Sequence, residues 1–202
     1  MIRCLVTDRR RLCSDTRSFE AERRGLVEQA RRAAADGVDL IQIRERDLEA
    51  ADLVFLVAEL VAVTAGSSTR VVVNDRIDIA LATHAAGAHL RGDSVSVEAA
   101  RRLLPPPLLV GRSVHTVEEA RAAEGADYVI AGTVFPSASK TSSAGSVELL
   151  GLDGLRAIVN ASPVPVLGIG GITPDRIADV LGTGAAGIAA IGLFIDSLKP
   201  AS

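Results

Sequence analysis

Short apolar runs recur along the chain at the spacing expected for strands that alternate with helices. The runs are apolar over most of their length rather than at every second position, which is typical of parallel strands whose sheet is covered by helices. This pattern predicts eight strands, at residues 3–7, 39–44, 70–74, 87–90, 108–111, 128–131, 164–169 and 187–191.

Helical patterns fill the segments between these runs, at residues 19–36, 49–65, 76–84, 95–103, 116–124, 151–161 and 174–182. Eight strand–helix units predict an α/β fold, a single-domain TIM (β/α)8 barrel over residues 1–202, with the last helix shortened to a tail after Phe194. A doubly wound sheet also alternates strands and helices. It usually has fewer strands and a GxGxxG turn after the first one, where this chain has Thr7, Asp8 and Arg9.

The last two predicted strands each run into glycines and small residues, VPVLGIGG at 164–171 and GAAGIAAIG at 184–192. In a barrel, the backbone N–H groups of two adjacent turns of this kind can surround a phosphate dianion. A single Gly-Gly pair is weak support, because it is more often only a tight turn. Two such turns predict a phosphate site at Gly170, Gly171, Ala190 and Ile191, and therefore a small phosphorylated ligand.

Composition narrows the class of protein. The 202 residues are 48% hydrophobic but only 2% aromatic, which suits one enzyme-sized domain with an aliphatic core. A net charge of −3 and dispersed basic residues give no sign of nucleic-acid binding. No apolar stretch has membrane-spanning length, so we expect a cytoplasmic protein with no membrane partner. We also expect it to form a homo-oligomer. Cys4 and Cys13 lack a metal-binding spacing and are interpreted as reduced thiols.

Polar residues follow several predicted strands, where TIM barrels place their chemistry. These segments are RERD at 44–47, NDR at 74–76, RGDS at 91–94, RSVH at 112–115 and SK at 139–140. Each one taken alone could be a salt bridge between loops. Their convergence on one rim of a barrel favours a ligand site.

Seven segments, in order over nearly the whole chain, resemble the thiamin phosphate synthase superfamily, which includes the synthases and the TenI-type thiazole tautomerases. They are IQIRERD, VVVNDR, GAHL, GRSVHTVEEA, ADYVIAGTVFPSASK, PVLGIGGITPDRI and GAAGIAAI. The resemblance implies a TIM barrel that acts on a phosphorylated thiazole.

The resemblance is divided between the two branches. Synthases use Mg²⁺ to neutralise a departing pyrophosphate and place one carboxylate after strand three and a second one five residues after the strand-four histidine. Asp75 matches the first position, whereas Ser94 stands at the second and Asp93 lies one position early. The segments ND at 74–75 and FPSASK at 135–140 are similar to synthases, while IRER at 43–46 and GRSVH at 111–115 are similar to tautomerases.

On this balance we predict a thiazole tautomerase of thiamin biosynthesis, an isomerase that needs no metal or other cofactor. His115 is the predicted catalytic residue, because one imidazole can take a proton from carbon and return it near neutral pH. Arg44 and Arg46 are expected to hold the substrate carboxylate. Two of the three histidines, His84 and His89, are interpreted as structural.

Three further residues, Asn74, Ser113 and Lys140, are predicted to bind the substrate, Lys140 from a loop rich in serine and threonine. The first alternative function is a Mg²⁺-dependent thiamin phosphate synthase, in which Asp75 holds the metal and hydroxymethylpyrimidine pyrophosphate is coupled with thiazole phosphate. The second is a regulator that binds a phosphorylated ligand without turnover. A sugar-phosphate isomerase would share the phosphate site but is not expected to combine Arg44, Asn74 and His115.

Overall fold

The computed structural model describes residues 1–14, 18–136 and 149–196. The strands are β1 (Ile2–Val6), β2 (Leu40–Ile43), β3 (Arg70–Asn74), β4 (Gly87–Leu90), β5 (Leu109–Val114), β6 (Tyr128–Gly132), β7 (Val166–Ile169) and β8 (Gly187–Ala190). The helices are α1 (Arg9–Leu12), α2 (Phe19–Ala35), α3 (Ala50–Thr64), α4 (Ile77–Ala82), α5 (Val97–Leu103), α6 (Val117–Arg121), α7 (Gly151–Ala161), α8 (Ile177–Leu181) and α9 (Gly192–Asp196). A 3₁₀ turn, Pro174–Arg176, precedes α8.

The eight strands pair in parallel in sequence order, and β8 closes against β1 through Leu5 and Ala190. The predicted TIM barrel is confirmed. Within the described ranges, no helix combines the length and apolar character that crossing a membrane would require.

Side chains of each strand alternate between the barrel interior and the helix layer. Residues such as Leu5, Ile41 and Val73 pack outward with the helices, around fully buried side chains that include Leu56 and Leu60 of α3. The interior cluster consists of Cys4, Val6, Leu40, Val72, Leu109, Tyr128, Ile130, Leu167 and Ala189. Continuing the same alternation toward the carboxyl ends of the strands brings polar residues inward.

The structure differs from the prediction at the end of β5, at the first helix and at the last helix. The strand was predicted to end at Gly111 but continues to Val114, because Arg112 still pairs with β4 and β6 and Ser113 with β6. Their polar side chains made the segment resemble a loop. The last helix is short, as predicted, but α9 starts at Gly192, before Phe194. The short helix α1 was not predicted.

A buried histidine links β4, β5 and β6 inside the barrel. His89 places Nε2 2.9 Å from the Ser113 hydroxyl and Nδ1 3.3 Å from the Tyr128 hydroxyl. Gly111 lies beside this pair, and a Cβ there would come within 2.5 Å of His89 Nδ1, so only glycine fits. Burial lowers the pKa of His89 to about 3, against a smaller opposing effect of Asp75. The imidazole is therefore neutral in the folded protein.

A buried ion network ties the β2–α3 loop to the start of the chain. Arg9, 5% exposed, donates to Glu22 at 2.8 Å, to Glu45 at 3.0 Å and to Asp47 at 2.5 Å. Its backbone N–H also donates to Glu45, at 3.1 Å. The Arg44 N–H donates to Thr7 Oγ1 at 2.9 Å, which fixes the same loop from β1. The loop that carries Arg44 and Arg46 is thus anchored on both sides of Glu45.

We expect the buried His89 to make the unfolding free energy fall as the pH drops below about 6.5, the pKa of an unperturbed histidine. The unfolded chain then binds a proton that the folded protein does not take up until about pH 3, so each pH unit costs roughly 1 kcal/mol. His89→Gln should flatten the pH dependence of the urea-unfolding free energy between these values. His84→Asn, at an exposed left-handed position that asparagine tolerates, should keep it. An equal slope in His89→Gln and the wild type would contradict this.

Removing the arginine from the buried network should leave two buried carboxylates without a counter-charge. Arg9→Met is expected to lower the unfolding free energy by roughly 3–5 kcal/mol, measured by chemical denaturation. Arg10→Met removes an exposed guanidinium that pairs with the same Asp47, and it should cost less than about 1 kcal/mol. Similar losses in the two variants would show that the network does not stabilise the fold as described.

Candidate active site

A cavity of about 1310 Å³ opens at the carboxyl ends of the strands. Its floor is the inward-facing set that continues the barrel interior, including Gln42, Asn74, His89 and Ser113. Gln42 donates to the Asn74 side-chain oxygen at 3.0 Å, and His89 contacts Ser113. The loops after the strands form the walls. The cavity thus lies at the rim where TIM barrels carry out their chemistry.

Nine of the ten predicted site residues line this cavity: Arg44, Arg46, Asn74, Ser113, His115, Gly170, Gly171, Ala190 and Ile191. The tenth, Lys140, lies outside the described residues. Residues far apart in the sequence, from β2 to the turn after β8, are therefore brought together as expected. The roles given to them stay predictions.

The cavity carries a positive charge although the whole chain has a net charge of −3. Its described lining includes five arginines and three carboxylates, a difference of +2: Arg11, Arg44, Arg46, Arg91 and Arg176 against Asp8, Asp93 and Glu119. Burial lowers the pKa of Arg44, and the neighbouring charges of Arg46 and Arg91 lower it further. These guanidinium groups remain charged at neutral pH, so their mutual repulsion favours an anionic ligand.

The turn after β7 has a backbone that requires glycine. Gly171 has φ +60°, and a Cβ there would lie 2.3 Å from the Pro136 carbonyl oxygen. Arg176 donates to the Gly171 carbonyl at 2.9 Å, and its guanidinium lies 4.7 Å from the centre of the Phe135 ring. The turn is held from both sides. Gly171→Asp would therefore disturb the turn itself as well as any bound anion.

The turn after β8 lies beside an arginine from α1. A Cβ on Gly192 would come 2.7 Å from Arg11 Nη2, so the guanidinium of Arg11 reaches the start of α9. Both groups line the cavity together with Ala190 and Ile191. A cation therefore adjoins the turn in which we predicted a phosphate.

His115 immediately follows β5 and is anchored by two hydrogen bonds. Its Nδ1 lies 2.5 Å from the Gly132 carbonyl oxygen, and its backbone N–H donates to Glu119 at 2.5 Å. Since a carbonyl only accepts hydrogen bonds, Nδ1 carries the proton in the neutral ring and Nε2 does not. The ring thus spans the ends of β5 and β6.

Asp75 adjoins the cavity through Arg91. Its carboxylate accepts the Arg91 N–H at 3.3 Å, and the Arg91 guanidinium lies 3.9 Å from its second oxygen. The same guanidinium pairs with Asp93. Asp75 has φ +62°, a left-handed conformation that aspartate tolerates better than most residues. One arginine therefore contacts two carboxylates at the edge of the cavity.

The lining residues that sequence reasoning did not place in the site include Gln42, His89, Arg11 and Arg176, while Arg91 was named only within the polar segment 91–94 and given no role. His89 packs inside the barrel as expected, but it also forms part of the cavity floor. A signal for two of them was present, because Gln42 and His89 are polar residues within otherwise apolar strands and share the inward register of their neighbours. Arg11 and Arg176 carry no such signal.

Comparisons with known proteins identify the family. The family model described as thiamine monophosphate synthase, TMP-TENI, matches residues 11–194. The thiamine-phosphate synthase of Moorella thermoacetica is 42% identical over 181 residues, which cover 89% of this chain and 85% of that protein. The thiamine-phosphate synthase of Anaeromyxobacter dehalogenans is 44% identical over 176 residues, with coverages of 86% and 78%.

Solved structures agree in fold. The thiamine phosphate pyrophosphorylase from Pyrococcus furiosus superposes with a TM-score of 0.77 at 35% identity, over 95% of this chain and 85% of that one. A 3-hexulose-6-phosphate synthase gives a TM-score of 0.65 at 21% identity, over 95% and 90%, which indicates a shared fold alone.

These relatives contradict our predicted activity. The tautomerase prediction, and with it the isomerase class, is wrong, because relatives about 40% identical over most of the chain are thiamine-phosphate synthases. The prediction depended largely on two short motifs, at 43–46 and 111–115. Arg44, Arg46, Ser113 and His115 of these motifs line the cavity, but such residues do not by themselves define the reaction. The match over residues 11–194 shows that the chain belongs to the thiamine monophosphate synthase family.

Proposed function

We propose that this protein is a thiamine-phosphate synthase, a transferase that couples hydroxymethylpyrimidine pyrophosphate with thiazole phosphate. The observation that carries the proposal is the arginine-rich cavity, with cations on two separate sectors of its wall. Arg44 and Arg46 follow β2, whereas Arg11 lies beside the turn after β8. Two phosphorylated substrates that must be held together need two such sectors.

We assign the thiazole phosphate to the turns at Gly170, Gly171, Ala190 and Ile191. Backbone amides in such turns suit a phosphate dianion, and Arg11 adds a full positive charge beside them. Arg176 supports this assignment indirectly, because it holds the Gly171 carbonyl in place.

We assign the pyrophosphate to Arg44 and Arg46 and the pyrimidine ring to the polar floor around Asn74 and Ser113. The Gln42–Asn74 and His89–Ser113 hydrogen bonds fix the orientation of these floor groups. An ordered amide and an ordered hydroxyl suit the ring nitrogens and exocyclic amine of an aminopyrimidine. Lys140 keeps its predicted role in substrate binding.

The reaction then breaks the bond between the pyrimidine methylene carbon and the pyrophosphate oxygen. The lone pair of the thiazole nitrogen forms the new bond to that carbon, and the pyrophosphate leaves with the electron pair of the broken bond. Arg44 and Arg46 stabilise the charge that develops on the leaving group. No proton has to move at a carbon atom, so we propose that His115 shapes the cavity wall through its bond to Gly132.

The residues present fit a magnesium ion. Mg²⁺ prefers oxygen ligands and uses one or two carboxylates, with waters and substrate phosphates completing its shell. Asp75 and Asp93 supply two carboxylates that share contact with one guanidinium and are therefore near each other. No group of three or more His, Cys, Asp or Glu in the described residues is arranged for a metal, so waters and substrate oxygens would have to supply the other ligands. Bound there, the ion would neutralise charge on the leaving pyrophosphate.

We further propose that the enzyme acts in the cytoplasm. The expectation that it forms homo-oligomers stays a prediction.

Coupling of the two substrates should require Mg²⁺ and Asp75. We expect thiamine phosphate to form with Mg²⁺, and Asp75→Asn to lower kcat/KM by roughly 10²-fold, because the developing charge loses its counter-ion. Asp78→Asn is the matched control, since Asp78 is exposed and pairs with Arg76 on α4. It should stay within about twofold of the wild type. Absence of coupling would contradict the proposed function, and full activity of Asp75→Asn would remove the metal assignment.

Arg11 should affect one substrate and not the other. Arg11→Ala is expected to raise the KM for thiazole phosphate by roughly 10- to 100-fold, the effect of losing a charge-assisted hydrogen bond, with the KM for the pyrimidine pyrophosphate little changed. Arg10→Ala, which removes an exposed neighbouring guanidinium paired with Asp47, should alter neither value. Equal increases for both substrates would place the phosphate elsewhere.

A further inference from the structure

We propose that Arg91 is an exchangeable cation, which neutralises Asp75 and Asp93 in the free enzyme and moves to the pyrophosphate when a divalent ion takes those carboxylates. The inference rests on the proposed function and deepens it.

The geometry supports an exchange because Arg91 is the shared partner of both carboxylates. Its guanidinium pairs with Asp93 and lies 3.9 Å from Asp75, while its backbone N–H donates to Asp75 at 3.3 Å. The backbone contact keeps Asp75 in place when the side chain leaves. At 42% exposure, the Arg91 side chain has room to move within the cavity that it lines.

The charges also favour an exchange over a permanent ion pair. Two carboxylates and one guanidinium leave a net charge of −1, so the group still attracts a cation. Arg91 is near enough to Arg44 for its charge to lower the pKa of Arg44. Released from its carboxylates, the guanidinium would add its full charge to the repulsion with Arg44 and Arg46, near which Asp8 and Glu45 are the neighbouring carboxylates. A pyrophosphate between these three arginines removes that repulsion, and its oxygens suit the planar guanidinium fork.

The two ligands should therefore be coupled through one side chain. Divalent ion and guanidinium compete for the same carboxylates, so removing the guanidinium must tighten ion binding in the free enzyme. The same removal must weaken pyrophosphate binding, because one of its three arginines is lost. If Arg91 served only as a structural ion pair, its loss would let the carboxylates move apart and the affinity for the divalent ion would fall.

Binding measurements on the free full-length protein test the proposal without turnover. In Arg91→Gln we expect Mn²⁺, followed by electron paramagnetic resonance, to bind about three- to tenfold more tightly than in the wild type. Inorganic pyrophosphate, titrated calorimetrically into the Mn²⁺-saturated protein, should bind at least about threefold more weakly. Arg102→Gln removes the same charge from an exposed α5 pair with Glu98 and should change neither affinity.

Two further variants make the assignment specific. Arg91→Lys retains the charge and should keep Mn²⁺ affinity near the wild-type value while losing part of the pyrophosphate affinity, because the fork is absent. Adding Asp93→Asn to Arg91→Gln should reverse the gain in Mn²⁺ affinity. Unchanged or weaker Mn²⁺ binding in Arg91→Gln, with its thermal unfolding intact, would overturn the exchange. A failed coupling assay alongside the predicted binding changes would count against the proposed function alone.

Discussion

Closure of the barrel is the constraint on which the rest of the structure depends. Eight short parallel strands joined in a ring must direct every second side chain inward. In the lower part of the barrel these side chains are apolar and fill the interior. Toward the carboxyl ends the same register presents Gln42, Asn74, His89 and Ser113, so the cavity floor is a direct continuation of the core.

The arginines above this floor repel one another, and contacts outside the cavity hold the loop that carries two of them. The loop with Arg44 and Arg46 is held by Glu45, whose own burial raises its pKa and is opposed by hydrogen bonds from Thr7 and Arg9. Arg9 in turn joins the loop to α2 through Glu22. A buried ion network outside the cavity thus fixes the position of cations inside it, and the anionic substrates that we propose would relieve their mutual repulsion.

Much of the fold was predictable from the sequence, because apolar runs and their spacing report the burial of strands directly. The eight strands, the closed barrel and the convergence of nine predicted residues on one cavity follow from that periodicity and from the position of strand ends. The end of β5 was misplaced since its inward polar residues, such as Ser113, have no apolar signature. Arg11 and Arg176 were missed because their positions depend on how segments distant in the sequence fold against each other.

The activity was the weakest prediction from the sequence, and the reason is chemical. A thiazole phosphate must be held in the same way whether it is rearranged or coupled, so motifs that bind it do not identify the reaction. What differs is the group that leaves, and the arginines to which we assign it are spread over separate loops after β2 and β4. Only similarity over the whole chain separates the two possibilities.

A single-turnover measurement tests the central claim most directly. The purified protein, mixed with both phosphorylated substrates and Mg²⁺ and quenched over time, should form thiamine phosphate and pyrophosphate in equal amounts and at one rate. Omission of the thiazole phosphate should abolish pyrophosphate release. Release of pyrophosphate at the same rate without the thiazole, or the absence of any coupled product, would contradict the account.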